Sequence, residues 1–233
     1  MENEILNQVL RSDDAYLPLL VLMVCFFLRK KIPATERLLI IYLFIQFAFS
    51  TVTNVLGYFK INNLFLYHFF TLFDQWFVTY YLARIITKGK MPVIYYLVNI
   101  VFTVFWIINI SFFESYHVFN TNTAVISSLI ILLLCMYYML DLSKNDDILY
   151  FQKLPAFWIV NGFLLYNALS ILIFAVYRYY TAEYSLESVE VPDVDYWVMM
   201  HFPISLKYIM IAIGIACYYK VPSIKQESRL MAS

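Results

Sequence analysis

The sequence predicts an all-α membrane protein: a bundle of seven transmembrane helices with the N-terminus outside and the C-terminus in the cytoplasm. Of its 233 residues, 63% are hydrophobic and 14% are charged, whereas soluble domains have about 45–50% apolar and about 25% charged residues. The apolar residues lie in runs that approach the length of about 20 residues needed to cross a bilayer. The positions of the basic residues between these runs set the orientation.

Seven apolar segments follow one another along the chain. The first, 15–28, is short for a span, and we expect the basic residues at 29–31 to extend it by snorkelling. Pro92 and Pro155 open two later segments, and proline is well tolerated in the first turn of a helix. The predicted spans are 15–28, 38–59, 62–86, 92–113, 122–142, 155–177 and 196–219.

The spans form one transmembrane domain, 15–219, between an outer N-terminal segment, 1–14, and a cytoplasmic tail, 220–233. Apolar residues recur at helical spacing in the N-terminal segment, which fits either a short helix on the membrane surface or a frayed terminus. The connection 178–195 is acidic and is the longest, so it is the one loop that could form a lid.

The basic residues are unevenly distributed between the two ends of the predicted spans. Twelve of the sixteen lysines and arginines fall at one end, and by the positive-inside rule this end faces the cytoplasm. We therefore expect a multi-pass protein of the plasma membrane, which in a bacterium is the inner membrane. The twelve residues are Arg29, Lys30, Lys31, Arg37, Arg84, Lys88, Lys90, Lys144, Lys153, Lys220, Lys225 and Arg229.

Polar residues within five of the spans fall on shared helical faces. Such groups must be satisfied by one another or by water in hydrocarbon, so we expect these faces to point into the bundle. They could line a chamber for water, a ligand or an ion, or they could form interhelical hydrogen bonds worth about 0.6 kcal/mol each. The candidate ligand-binding residues are Lys207, Asp74, His68, His201, Gln75, Thr71, Gln46, Asn54, Asn161, Tyr208 and Trp76.

Lys207 and Asp74 are charged residues near the middle of spans seven and three. A lysine at the centre of a membrane helix costs about 2.5–3.5 kcal/mol unless its charge is offset. The two residues could form an ion pair if helices three and seven are neighbours, and such a pair could fix helix register or build a site. Alternatively one of them is neutral and no pair forms. Pro203 predicts a kink one turn before Lys207.

The sequence gives little support for other kinds of site. His68 and His201 are the histidines within spans, and neither belongs to an HxxxH or HExxH pattern, so we expect no metal site. Neither a GxSxG elbow nor a glycine-rich phosphate loop is present, so we assign no catalytic residue. A net charge of zero without a basic run argues against nucleic acid as a partner.

The architecture resembles that of microbial rhodopsins: seven helices, an outer N-terminus, an acid in helix three and a lysine in helix seven. This resemblance implies that Lys207 carries the Schiff base of retinal and that Asp74 is its counterion. The chain departs from the family in its sixth helix, which lacks the usual tryptophan and proline pattern, and at two further positions. Thr71 stands where an arginine is usual, and Pro203 stands where an acid is usual.

Three stretches also resemble an uncharacterised group of small seven-helix bacterial membrane proteins. They are NNLFLYHFF at the start of span three, PAFWIVNGFLLYN in span six and WVMMH in span seven. The resemblance implies a sensory role alongside signalling kinases.

These observations favour a receptor-like sensory module that binds a small apolar or amphipathic ligand in a polar central chamber. A cytoplasmic or membrane signalling partner would read its helix arrangement, and the oligomeric state stays open. The first alternative is a retinal-binding photoreceptor or ion pump. The second is a transporter or an intramembrane enzyme, although enzymatic activity is the less favoured reading.

Overall fold

The computed structural model describes residues 13–30, 32–33, 36–87, 91–144, 151–187 and 196–220. Within these ranges all regular structure is helical, so the predicted all-α class is confirmed. Most of the expected N-terminal surface segment, 1–14, and most of the tail, 220–233, lie outside the described residues. The helices are α1 (Asp13–Leu28), α2 (Arg37–Tyr58), α3 (Leu64–Ile86), α4 (Val93–Phe112), α5 (Thr121–Ser143), α6 (Pro155–Glu187) and α7 (Tyr196–Lys220), with a short 3-10 turn at Phe151–Lys153.

Five of the described helices are long and apolar enough to cross a membrane: α2, α4, α5, most of α6 and most of α7. Their mean hydropathy lies between 1.5 and 2.2. Large apolar side chains on them face away from the bundle, and Val101 is 66% exposed and Leu172 63% exposed. Lipid solvates such surfaces, whereas a soluble monomer rarely exposes them in number. The expectation of a membrane protein is therefore supported at this level.

Helices α1 and α3 differ from these five. Helix α1 has 16 residues, which corresponds to about 24 Å. Helix α3 has 23 residues, but polar side chains such as His68, Asp74 and Gln75 lower its mean hydropathy. Because α3 packs against α2, α4 and α5, these side chains have protein neighbours to satisfy them.

Six helices close into a ring in the order α1, α2, α3, α5, α6, α7, with α7 again beside α1. Helix α4 lies outside the ring against α3 and α5, and it has the lowest buried share of the five apolar helices, 22%. A direct ion pair between Asp74 and Lys207 would require helices three and seven to be neighbours, and the packing order does not make them so. Helices three and seven are not packed neighbours, because α1 and α6 flank α7, and α3 faces α7 across the bundle.

Helix α6 is longer than the sequence predicted. We expected the chain to leave the helix after Tyr177, but α6 continues to Glu187, so the connection to α7 is shorter than 178–195 and helix replaces much of the expected lid. Residues 178–187 include three charged and only two aliphatic side chains, but they contain no glycine or proline. Polarity ends the membrane-spanning part of a segment, whereas helix geometry continues until the backbone is interrupted.

Helices α6 and α7 pack closely through two glycines. A Cβ added at Gly162 would lie 3.0 Å from the carbonyl oxygen of Lys207, and one added at Gly214 would lie 2.8 Å from the carbonyl oxygen of Pro155. Small residues allow this approach of helix backbones in membrane proteins. The backbone at Lys207 is therefore held against α6.

The interior differs between the two ends of the bundle. At the end that holds the last turns of α1, α3, α5 and α7, buried side chains form one continuous core, which we call the packed half. This core contains Cys25, Leu39, Leu43, Val78, Tyr81, Leu82, Ile131, Cys135, Ile159, Val160, Phe163, Ile211 and Ile215. At the other end, which we call the cavity half, the buried apolar cluster is small and consists of Phe119, Ala124, Phe174 and Met200.

Candidate functional site

A cavity of about 500 Å³ occupies the cavity half, which is within the range of about 300–1,000 Å³ typical of ligand pockets. Its deep end lies at mid-bundle, at Lys207 and Asp74, and its rim is formed by Asp14, Asn63 and His201 near helix ends. Six helices and the segment before α5 supply its wall. The lining includes Gln46, Phe49, Ser50, Asn54, Gly57, Tyr67, Phe70, Thr71, Phe119, Ala124, Ser127, Ser128, Tyr166, Asn167, Phe174, Met200, Ile204 and Tyr208.

Lys207 is 3% exposed, and its ammonium group is surrounded by aromatic rings. Nζ lies 4.2 Å from the ring centre of Tyr166, 4.7 Å from that of Tyr208 and 5.9 Å from that of Tyr42. Cation–π contacts of this kind contribute about 2 kcal/mol when the cation is desolvated. The three tyrosines therefore offset part of the cost of placing a lysine at mid-bundle.

Asp74 is held on the opposite side of the deep end by two groups from α2. The hydroxyl of Tyr42 donates a hydrogen bond to Asp74 Oδ1 at 2.8 Å, and Gln46 Nε2 donates to the same oxygen at 3.2 Å. Gln46 Nε2 also donates to the Tyr42 oxygen at 2.8 Å, and Gln46 Oε1 accepts from Tyr208 at 3.4 Å. The carboxylate is thus connected to Tyr42 and, through Gln46, to Tyr208, two of the three tyrosines that surround Lys207.

No direct ion pair joins Lys207 to Asp74 among the residues that the structure describes. Both groups line the cavity, and Tyr42 contacts both, with its ring near Nζ and its hydroxyl on the carboxylate. The arrangement is therefore a bridged pair that leaves room between its members.

Aromatic side chains form a band around the middle of the cavity. Phe49 and Phe70 stack with ring centres 3.8 Å apart, and on another side Phe119 contacts Tyr67 at 5.8 Å and Phe174 at 5.6 Å. The wall thus carries charged groups at the deep end, and aromatic rings together with small polar side chains in the middle.

The rim of the cavity is tied together by amide side chains. Asn54 Nδ2 donates to Asp14 Oδ1 at 3.1 Å and links α2 to the start of α1. Asn63 Nδ2 donates to the carbonyl oxygen of Thr53 at 2.8 Å and links the connection before α3 to α2. These bonds fix the helix ends around the entrance.

Seven of the eleven predicted site residues are brought together at this cavity: Lys207, Asp74, Gln46, Asn54, Thr71, His201 and Tyr208. Three of the other four occupy interfaces of α3. His68 Nε2 donates to the carbonyl oxygen of Val118 at 3.0 Å, the side-chain oxygen of Gln75 accepts from Ser127 at 2.8 Å, and Trp76 donates to Thr103 at 3.0 Å.

The fourth residue, Asn161, donates at 2.9 Å to the carbonyl oxygen of Phe157 within its own helix. On α3, the prediction placed His68, Gln75 and Trp76 in the same site as Asp74, and this set was too broad. Successive residues of a helix point about 100° apart, so Asp74 faces the cavity while Gln75 faces α5. Within the described residues, no group of three or more histidine, cysteine or acidic side chains is arranged to hold a metal ion.

Two important members of the deep end were not among the predicted residues. Tyr42 precedes Gln46 by four residues, so helical spacing alone would have added it to the polar face of α2. Tyr166 lies on one of the five spans with polar residues, but nothing in the sequence places its ring under the ammonium of a different helix.

Comparisons of the chain with protein-family models, with curated proteins and with solved structures found no match.

Proposed function

We propose that this protein is a receptor-like sensory module of the plasma membrane that binds a small amphipathic ligand in the central cavity. The observation that carries the proposal is a cavity of about 500 Å³ with a buried ammonium group at its deep end and an aromatic middle. Polar residues that only join helices would leave no such space between them.

The proposal takes all seven helices as spans. Helix α3 is enclosed by α2, α4 and α5, so its polar side chains need not meet lipid. Helix α1 is several ångströms shorter than the about 30 Å of hydrocarbon, and basic side chains at its end can reach the interface. Arg29, whose guanidinium lies 4.7 Å from the ring centre of Phe26, is one of them.

The orientation follows from the positive-inside rule. It places the packed half toward the cytoplasm and the cavity rim toward the outside. A ligand would then enter from outside or from the outer leaflet, and the packed ends of the helices would carry the response to a cytoplasmic or membrane partner.

The α6–α7 unit offers a physical route for that response. Ligand contacts at Lys207 act on a backbone segment held against Gly162, so the two helices should move together. Helix shifts of about 1–2 Å are typical of such transitions.

The proposal is tested with purified protein in lipid nanodiscs and three single-chain probes: decanamide, decanoate and decylamine. We expect at least one probe to bind beyond its partition into empty nanodiscs. Ala124→Trp should abolish binding, because Ala124 is a buried residue of the cavity wall. Leu133→Trp on the outer face of the same helix, where Leu133 is 56% exposed, should bind like the unmodified protein.

The sensory part is tested by spin labels on Arg37→Cys and Lys144→Cys, both at exposed positions at the packed ends of α2 and α5. The labelled protein carries both substitutions, and its three native cysteines are replaced by alanine. We expect a bound probe to shift the distance between the labels by about 1–2 Å. An unchanged distance with the probe bound would leave a binding protein without the sensory role.

A second candidate function is covalent binding of retinal at Lys207 with Asp74 as counterion. It is favoured by the position of Lys207 at the deep end of a cavity with an aromatic wall. Retinal added to membranes should then give a red-shifted visible band that Lys207→Ala removes. The absence of a band, or a band that survives Lys207→Ala, would contradict this candidate.

A further inference from the structure

We propose that the deep end of the cavity binds a neutral polar group that both accepts and donates a hydrogen bond, a primary amide or a hydroxyl, at the end of a single-chain amphiphile. This proposal rests on the proposed function, since it names the class of ligand for the same cavity. It is carried by hydrogen-bonding capacity that Lys207 and Asp74 leave unused.

The ammonium of Lys207 has three N–H donors. Within the described part of the chain none of them has a hydrogen-bond acceptor, because the neighbours of Nζ are ring faces. The residue is 97% buried in the bundle, since 3% of its surface is exposed, and it lines the cavity. An acceptor that enters the cavity would therefore meet an unused donor.

The carboxylate of Asp74 is used on one side only. Tyr42 and Gln46 both donate to Oδ1, and Oδ2 receives no hydrogen bond from any residue that the structure describes. Asp74 also lines the cavity. A donor that enters the cavity would therefore meet an unused acceptor, close to the place where Tyr42 also contacts the ammonium group.

The charge of the deep end selects between headgroups. Lys207 and Asp74 together carry no net charge, and a proton passed from one to the other leaves that sum unchanged. A carboxylate headgroup would be attracted by Lys207 but opposed by Asp74, and an ammonium headgroup would meet the reverse. A neutral group that accepts from Nζ and donates to Oδ2 satisfies both without adding a buried charge.

The wall above the deep end fits a single alkyl chain. Asp74 lies ten residues after Leu64, the cavity residue at the start of α3, which is about 15 Å along the helix axis. The band of Phe49, Phe70 and Phe119 covers the middle of this length. A decyl chain spans a similar distance and would lie against these rings.

The experiment measures the dissociation constants of decanamide, decanoate and decylamine for the protein in nanodiscs at neutral pH, each corrected for partition into empty nanodiscs. We expect decanamide to bind at least about tenfold more tightly than either charged probe. The three probes share one chain, so a difference reports the headgroup alone.

Two substitutions should change the ranking in opposite directions. Asp74→Asn removes the group that opposes an anion, so decanoate should become the tightest probe. Lys207→Met removes the group that opposes a cation, so decylamine should become the tightest. The matched controls Asp141→Asn and Lys144→Met change exposed charges of α5 and its end and should keep the original ranking.

The possible results separate the two proposals. If no probe binds, the proposed function is wrong and the headgroup assignment falls with it. If a charged probe binds most tightly to the unmodified protein, the cavity is a ligand site but the neutral headgroup is wrong. Unchanged rankings in folded Asp74→Asn and Lys207→Met would also overturn the headgroup assignment. If these variants do not fold, the ranking of the three probes in the unmodified protein decides.

Discussion

The packed half and the cavity half are built from the same helices, and α5 shows how they differ. In the cavity half its inward residues are Ala124, Ser127 and Ser128. One and two turns further on, the inward residues are Ile131 and Cys135, 1% and 0% exposed. The change from small to larger side chains along one face of one helix separates an open interior from a closed one.

Helix α2 shows a similar change. On α2, Leu39 and Leu43 belong to the continuous core, whereas Gln46 and Ser50 line the cavity. Lys207 and Asp74 lie at the boundary between the two halves. On α2 and α5 the open interior therefore begins where small or polar inward side chains replace the apolar ones of the core, and the charged end of the cavity adjoins the packed half.

We expect the largest difference in stability between the halves when one phenylalanine in each half is replaced by alanine. Phe163 is 2% exposed and contacts the rings of Tyr42 and Tyr81. Phe163→Ala should lower the free energy of unfolding by about 3–5 kcal/mol, because it opens a void in a filled core. Phe49→Ala, on the cavity wall, should cost clearly less because it enlarges an existing space. Equal losses in a reversible unfolding assay would remove the distinction between the halves.

Glycine substitutions sharpen the comparison at the α6–α7 contact. A Cβ at Gly214 would meet Ile159 Cγ1 at 2.7 Å and the Pro155 carbonyl oxygen at 2.8 Å, so Gly214→Ala should destabilise the protein by about 1–3 kcal/mol. At Gly57, on the cavity wall, the nearest atom would be Asn63 Nδ2 at 3.8 Å. Gly57→Ala should therefore be neutral or stabilise by up to about 1 kcal/mol. Melting temperatures that fall equally would contradict the close packing of α6 and α7.

The boundary between the halves is tested by a double-mutant cycle. Lys207→Met and Asp74→Asn should each destabilise the protein, and the double variant should recover about 0.5–2 kcal/mol relative to the sum. A coupling of this size is expected because Tyr42 contacts both groups. Lys207→Met combined with Asp141→Asn serves as the control and should be additive. Additivity in the Lys207–Asp74 cycle itself would show that the bridged pair does not exist.

The smallest expected effect lies outside both halves, at the contact between α3 and α4. Trp76 donates to Thr103 at 3.0 Å, and Trp76→Phe removes this bond while Thr103 keeps its own donation to the carbonyl oxygen of Asn99. The free energy of unfolding should fall by about 0.6 kcal/mol, and probe binding should not change. A loss of binding would mean that Trp76 belongs to the ligand site after all.

The sequence was sufficient to predict where the helices lie along the chain. Apolar runs predicted all seven segments close to their observed bounds, since length and composition are what a membrane span requires. The end of α6 was wrong because residues 178–187 are too polar for hydrocarbon but remain helical. Five of these helices carry the membrane assignment, while seven spans and the orientation stay predictions.

The sequence was less informative about which helices pack against one another. In a soluble bundle the apolar face of a helix points to the core, but in lipid both faces of α4 or α5 can be apolar, so periodicity does not say which helices touch. This is why the sequence left open whether α3 and α7 are neighbours. The same ambiguity placed His68 and Gln75 with Asp74, although they face α4, α5 and the segment between those helices.

Charged residues were the most predictable part of the site. Asp74 and Lys207 stood out because a membrane core tolerates few charges, and both line the cavity. The aromatic surroundings of Lys207 were not predictable, because 20% of the chain is aromatic and a ring that contacts a cation looks the same in sequence as one that contacts lipid.

The most direct test of the two-halves account compares two positions on one face of α5. Ser128 lines the cavity, and Cys135, seven residues further on, is 0% exposed. Two variants are compared, and both carry Cys25→Ala and Cys217→Ala. The first also carries Ser128→Cys and Cys135→Ala. The second keeps Ser128 and Cys135. A small, charged, membrane-impermeant methanethiosulfonate added from outside should modify residue 128 and leave Cys135 unmodified. Equal modification of both thiols, or protection of both, would contradict an accessible cavity above a closed core.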